Sequence, residues 1–112
     1  MDLEALSQNV CLEEEEFYEL FELFIETALQ DLHKLETGLG ARNVYDVLSA
    51  SHSLKGAAAN FGLEEIRELA EAIEMSAHKK CLDEAAARIN TLRVILEQVI
   101  DAHKNKEGTT EG

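Results

Sequence analysis

Apolar residues recur along most of the chain every three or four positions, the interval that gathers side chains on one face of an α-helix. Phe17, Leu20, Phe21, Phe24, Ala28, Leu32 and Leu35 mark one broad face. The carboxylates of Glu13 to Glu16 precede it and complement the positive end of a helix dipole. This helix is predicted to run to about Thr37 and to stop at Gly38-Leu39-Gly40. Asn43 with Asp46 resembles a capping box and starts the next helix, where Val47, Ala50, Leu54, Ala57, Ala58 and Phe61 share one side. Gly62 is expected to close it in a left-handed conformation. Leu63, Ile66, Leu69, Ala70, Ile73 and Ala77 form the stripe of a third helix, with Glu64 and Glu65 in its first turn and Lys79 and Lys80 at its far end. Asp83 is the best cap for a fourth, in which Ala85, Ile89, Leu92, Leu96, Val99 and His103 step alternately by four and three and which ends near Asn105. Leu3, Leu6 and Val10 predict a short further helix over 2–10.

The connections are short, and the one at Gly62 forces its two helices to pack antiparallel. The expected class is therefore all-α, an antiparallel up-down-up-down four-helix bundle with a short additional N-terminal helix. One domain spans 1–105, and 106–112 forms a flexible tail without an apolar anchor.

Composition narrows the class of partner. The chain has 112 residues, enough for a single core, and no proline. Its 23 acidic residues against 10 basic give a formal net charge of −13, a surface that repels phosphate backbones and anionic lipid heads. Nucleic acid and direct membrane binding are disfavoured. No apolar run reaches the roughly 20 residues of a membrane span. Cys11 and Cys81 are far apart without CxxC spacing, which fits a reducing cytoplasm. The chain equally suits the cytoplasmic domain of a larger membrane-anchored protein. His78 and Cys81 form an H-x-x-C pair with no second pair, a poor zinc site, so no metal is expected. His33 is expected to face solvent and His103 to pack on the last helix's stripe. No phosphate-cradling glycine loop or ATP-binding motif is present, so the chain is not its own kinase.

The candidate chemistry lies in the stretch Ser51 to Gly62. At about 100° per residue, His52 points almost opposite the apolar side of its own helix, toward water. Tyr45, Leu48, Ser49, Lys55, Gly56 and Ala59 share its face, and Leu48 and Ala59 are apolar where solvent is expected. A glycine inside a helix costs on the order of 1 kcal/mol relative to alanine, so Gly56, one turn from His52, keeps space clear beside the imidazole. Geometry alone leaves two readings open: a reactive histidine in a docking surface, or a solvated histidine beside a coincidental glycine.

The segment His52-Ser53-Leu54-Lys55-Gly56, followed by Ala59-Asn60-Phe61-Gly62 and later by Ile73-Glu74, resembles the signature of histidine-containing phosphotransfer (HPt) domains of two-component phosphorelays. Those domains are four-helix bundles, so the resemblance covers most of the chain. It implies that His52 accepts a phosphoryl group from a receiver-domain aspartyl phosphate and passes it to another receiver. It also implies that a side chain of the neighbouring helix binds the other imidazole nitrogen. Glu74 matches: it lies twelve residues past Gly62 and His52 ten before, at similar height in the hairpin. Its carboxylate would bond Nδ1–H and leave Nε2 as nucleophile. Lys55 would partly neutralise the arriving phosphoryl group, Gly56 would admit the partner loop, and Tyr45, Leu48, Ser49 and Ala59 would contact the partner. The implied partners are receiver domains and a hybrid sensor histidine kinase, with Mg²⁺ on the receiver, no cofactor on this chain and a carrier rather than an enzyme; the small exposed face suits a monomer. Alternatives are a phosphoacceptor domain phosphorylated directly by a chemotaxis-type kinase, a receiver-binding adapter that transfers nothing, and a metal- or ligand-binding bundle. The last is disfavoured because the stripes lack paired Glu and Glu-x-x-His residues.

Overall fold

The structure, a computed structural model, describes residues 14–109, with side chains over 15–104. Four helices follow one another: α1 (Glu14–Gly40), α2 (Val44–Asn60), α3 (Glu64–His78) and α4 (Leu82–Thr109). Each packs on its neighbours in sequence and α1 also meets α4, which closes an antiparallel up-down-up-down bundle. The helix expected over 2–10 lies outside the described residues.

The stripes read from the sequence form the core. Phe17, Phe21, Leu35, Val47, Leu54, Ile66, Ile73, Leu92, Leu96 and Val99 are all essentially inaccessible to water. One departure is Leu20, which is 44% exposed beside the still more exposed Leu23. It falls at the edge of the α1 stripe, where with Leu23, Phe24 and Thr27 it lines an open groove against Ala57, Asn60 and Phe61 at the end of α2. At the end of the bundle where α1 begins, Phe61 packs edge-on against Phe17 and Phe21, with ring centroids 5.7 and 5.5 Å apart. His103 joins this cluster, 5.5 Å from Phe21, with Nε2 3.5 Å from Glu22 Oε1. It is a packed histidine, as its place on the stripe predicts.

The turns set the register of the helix carrying His52, and they correct the sequence reading at three places. First, α1 continues through Gly38 to Gly40 instead of ending near Thr37. Its termination is a Schellman motif, with Asn43 N–H bonded to Gly38 O at 2.8 Å and Arg42 N–H to Leu39 O at 3.1 Å, and the left-handed residue is Arg42 (φ 57°). Gly38 serves close approach: an added Cβ would sit 3.0 Å from Asp46 Cβ and 3.3 Å from Val47 Cγ2. Second, Asp83 is not a cap. The last helix begins at Leu82, placing Asp83 in its first turn, where it pairs with Arg42 at 2.9 Å across the exposed apex. Third, α4 runs past the predicted Asn105 to Thr109, because nothing in Lys104 to Glu107 interrupts a helix. Two expectations hold: Asn43 caps α2 by accepting from Asp46 N–H at 3.1 Å, and Gly62 is left-handed (φ 67°).

The two glycines of the first turn differ in a testable way. Overpacking a tight contact costs about 1–3 kcal/mol, while Gly→Ala in a helix gains up to about 1 kcal/mol. Asp46 Cβ cannot yield without moving the start of α2, so Gly38→Ala is expected to lower the urea midpoint. At Gly40 an added Cβ would meet nothing within 4 Å, and the same change there is expected to be tolerated or to stabilise.

Candidate functional site

Residue pairs across each hairpin fall at matched heights once the turns are fixed. On the α2–α3 side this brings His52 to Glu74, with Nδ1 and Oε2 2.8 Å apart. Lys55, one turn on, reaches the other oxygen of the same carboxylate, Nζ to Oε1 2.7 Å. The exposures are unequal: the His52 side chain is 72% accessible, Lys55 31% and Glu74 13%. An exposed imidazole thus rests on a largely covered carboxylate whose other oxygen is held by the Lys55 ammonium.

This arrangement decides the proton's position. Burial pushes the Glu74 carboxyl pKa up, but the Lys55 and His52 hydrogen bonds together outweigh it and hold the value below the ordinary carboxylate range. An ionised carboxylate can only accept, so the contact at Nδ1 is made by an N–H donor. In the neutral imidazole the lone pair then lies on Nε2, the nitrogen turned away from Glu74.

Gly56 is exposed, and an added Cβ would meet nothing within 4 Å beyond the adjoining backbone of its own helix. Among the described residues, nothing packs against position 56 in a way that needs glycine there. Tyr45, Leu48, Ser49, His52, Glu74 and His78 line a shallow groove between α2 and α3. Tyr45 is 74% exposed, whereas Leu48 packs partly against the core, so the apolar patch is smaller than helical spacing suggests. Ser49 is half-buried and accepts from Lys34 Nζ of α1 at 3.2 Å. Ala59 is exposed but lies outside this groove.

Three residues of the neighbourhood escape the sequence reading. His78 lies one turn beyond Glu74 on α3 and lines the groove with His52; its i, i+4 spacing from Glu74 is the signal that could have placed it. Asp31 accepts from Ser53 Oγ at 2.9 Å, and with Lys34 it forms the α1 side of the seam. Among the described residues, no group of three or more His, Cys, Asp or Glu could hold a metal ion, and no helix is long and apolar enough to cross a membrane.

Comparison with known proteins follows the same lines. The family profile described as the Hpt domain matches residues 19–104. The crystal structure of histidine-containing phosphotransfer protein B (HptB) from Pseudomonas aeruginosa PAO1 is similar with a TM-score of 0.85 at 23% identity, over 97% of this chain and 95% of that one. The HPT domain of an Hpt sensor hybrid histidine kinase from Shewanella is similar with a TM-score of 0.65 at 16% identity, over 91% of this chain and 94% of that one. At such identities the two likenesses speak for the fold. A search of curated proteins finds no match.

Proposed function

Because the chain belongs to the family of Hpt domains, the phosphotransfer modules of two-component signalling, we propose that it is a phosphocarrier: His52 accepts a phosphoryl group from the aspartyl phosphate of one receiver domain and passes it to an aspartate of another. The observation that carries this reading is the 2.8 Å contact between Nδ1 of an exposed His52 and a largely covered, ionised Glu74.

The chemistry follows from that contact. The Nε2 lone pair attacks phosphorus, an N–P bond forms, and the O–P bond to the receiver's aspartate breaks with its electron pair leaving on the carboxylate. Nδ1 keeps its proton throughout, so the phosphorylated ring carries positive charge. Glu74 stabilises that charge, and the same hydrogen bond fixes the ring's orientation. In the return step a carboxylate oxygen of the second receiver attacks phosphorus and the N–P pair goes back to Nε2. Lys55, engaged by Glu74 at rest, keeps the carboxylate ionised and placed, and its remaining ammonium protons are available to the phosphoryl oxygens. Mg²⁺ is assigned to the receiver. Tyr45, Leu48, Ser49 and Ala59, joined by His78, are the proposed docking surface, with Gly56 leaving room for the receiver's approach.

The test is a relay in two stages. Receiver domains labelled with acetyl phosphate are mixed with the chain, and the labelled chain is then repurified and offered to an unlabelled second receiver. The expected result is acid-labile, alkali-stable label on the chain that moves on to the second receiver. Label that arrives only from an ATP-bearing kinase domain would replace the relay with direct phosphorylation, and no label from any donor would make the chain an adapter.

A further inference from the structure

Glu74 holds His52 from α3, and α1 contacts the same segment of α2 from the opposite flank. Ser53 Oγ donates to Asp31 Oδ2 at 2.9 Å, and Lys34 Nζ donates to Ser49 Oγ at 3.2 Å. The two serines lie one residue after and three residues before the histidine, so the contacts bracket it. Between them Ser51 is fully buried, its Oγ donating to Val47 O at 2.7 Å.

Stability alone does not recommend these residues. Serine is a weaker helix former than alanine, and the bond of Ser51 into the preceding turn tends to bend a helix. Burial pushes the Asp31 carboxyl pKa up by more than the Ser53 hydrogen bond and the Lys34 charge bring it down. An ionised Asp31 therefore costs the fold stability at neutral pH. Small apolar side chains at 31 and 53 would avoid that cost and still fill the seam.

Their effect is on orientation. Glu74 bonds Nδ1 of the His52 ring and does not by itself fix how α2 is rotated beneath it. The buried stripe of Val47, Ala50, Leu54 and Ala58 sets that rotation coarsely, and polar contacts from α1 on one flank and α3 on the other can refine it, and with it the direction of Nε2. In group transfer a displacement of about 1 Å can cost on the order of a hundredfold in rate.

Resting on the phosphotransfer reading above, we infer that Asp31 and Lys34 are positioning residues for that transfer: two polar contacts from α1, to Ser53 and Ser49, hold the His52 segment of α2 in the orientation from which Nε2 meets phosphorus.

The test compares wild type with Asp31→Ala, Ser53→Ala, the double variant and Asp31→Asn, whose side-chain oxygen still accepts from Ser53. Single-turnover transfer is followed at several concentrations of a receiver domain labelled with acetyl phosphate, alongside urea unfolding. The maximal rate is expected to fall about threefold to tenfold in each single alanine variant, within the range that misplacement of a reacting group produces. The double variant loses no more, Asp31→Asn recovers most of the rate, and the half-saturating receiver concentration holds within about twofold of wild type. Unfolding midpoints stay level or rise. An Asp31→Ala rate equal to wild type, a loss that tracks unfolding, or a change confined to the half-saturating concentration overturns the inference. If wild type takes no label, the phosphotransfer reading falls and this inference with it; a labelled wild type matched by an equally fast Asp31→Ala removes this inference alone.

Discussion

Glu74→Ala is expected to slow phosphorylation of His52 by about tenfold to a hundredfold, the loss seen when the group orienting a reactive histidine is removed. Three effects contribute. The ring loses the acceptor 2.8 Å from Nδ1 that selects its tautomer, the positive charge of the phosphorylated ring loses its counter-charge, and Lys55 loses the partner at 2.7 Å that places it. Glu74→Gln separates them, because its amide oxygen still accepts from Nδ1–H while the ion pair is gone. Its rate is expected between wild type and Glu74→Ala, with the Nδ1–H tautomer retained in the ¹⁵N spectrum of His52. Equal rates for all three proteins would remove Glu74 from the mechanism. The carboxylate also links the site to stability. Its pKa is held below the ordinary value of 4.5 by Lys55 and His52 acting against burial. The stability it contributes is therefore fully present above about pH 4.5 and is lost as pH falls further, through the folded-state value. The difference in urea midpoint between wild type and Glu74→Gln is expected to shrink in that acid range.

Gly56→Leu is expected to make a more stable protein that transfers poorly. The position is exposed, lies inside α2 and offers an added Cβ no contact within 4 Å beyond the adjoining backbone of its own helix. Exchanging glycine for a good helix former therefore gains about 1 kcal/mol, which raises Tm by roughly 4–8 °C in a domain of about this size. The leucine would project beside the imidazole into the space proposed for the receiver's approach, and transfer from a receiver is expected to fall at least about tenfold. A small donor such as phosphoramidate needs less room and is expected to label the variant with a smaller loss. Undiminished transfer from the receiver, or a loss of stability, would contradict this role for Gly56.

What could be read in advance follows from the reach of each interaction. The His52–Glu74 pairing was accessible because two regular periods and one tight turn determine it: helical phase puts His52 outward, and the hairpin at Gly62 matches the heights. The direction of Lys55 was not, since a long flexible side chain can serve a neighbouring carboxylate or an incoming phosphate, and only the positions of both settle where it rests. Gly38 looked like a helix stop because glycine commonly is one; its cause is the approach of Asp46 and Val47, a contact between helices that composition does not encode. The seam of Asp31 and Lys34 with Ser53 and Ser49 was missed for the same reason. Polar contacts across a helix pair leave no apolar periodicity, and their register depended on a first turn ending at Arg42.

The most direct test is to identify the atom that carries phosphorus. Wild type and His52→Gln are each incubated with a receiver domain labelled with acetyl phosphate, and the product is resolved by ³¹P and ¹⁵N spectroscopy. One phosphoryl group on Nε2 of His52, absent from His52→Gln, is the predicted result. Label on His33, His78 or His103, or label undiminished in His52→Gln, would contradict it.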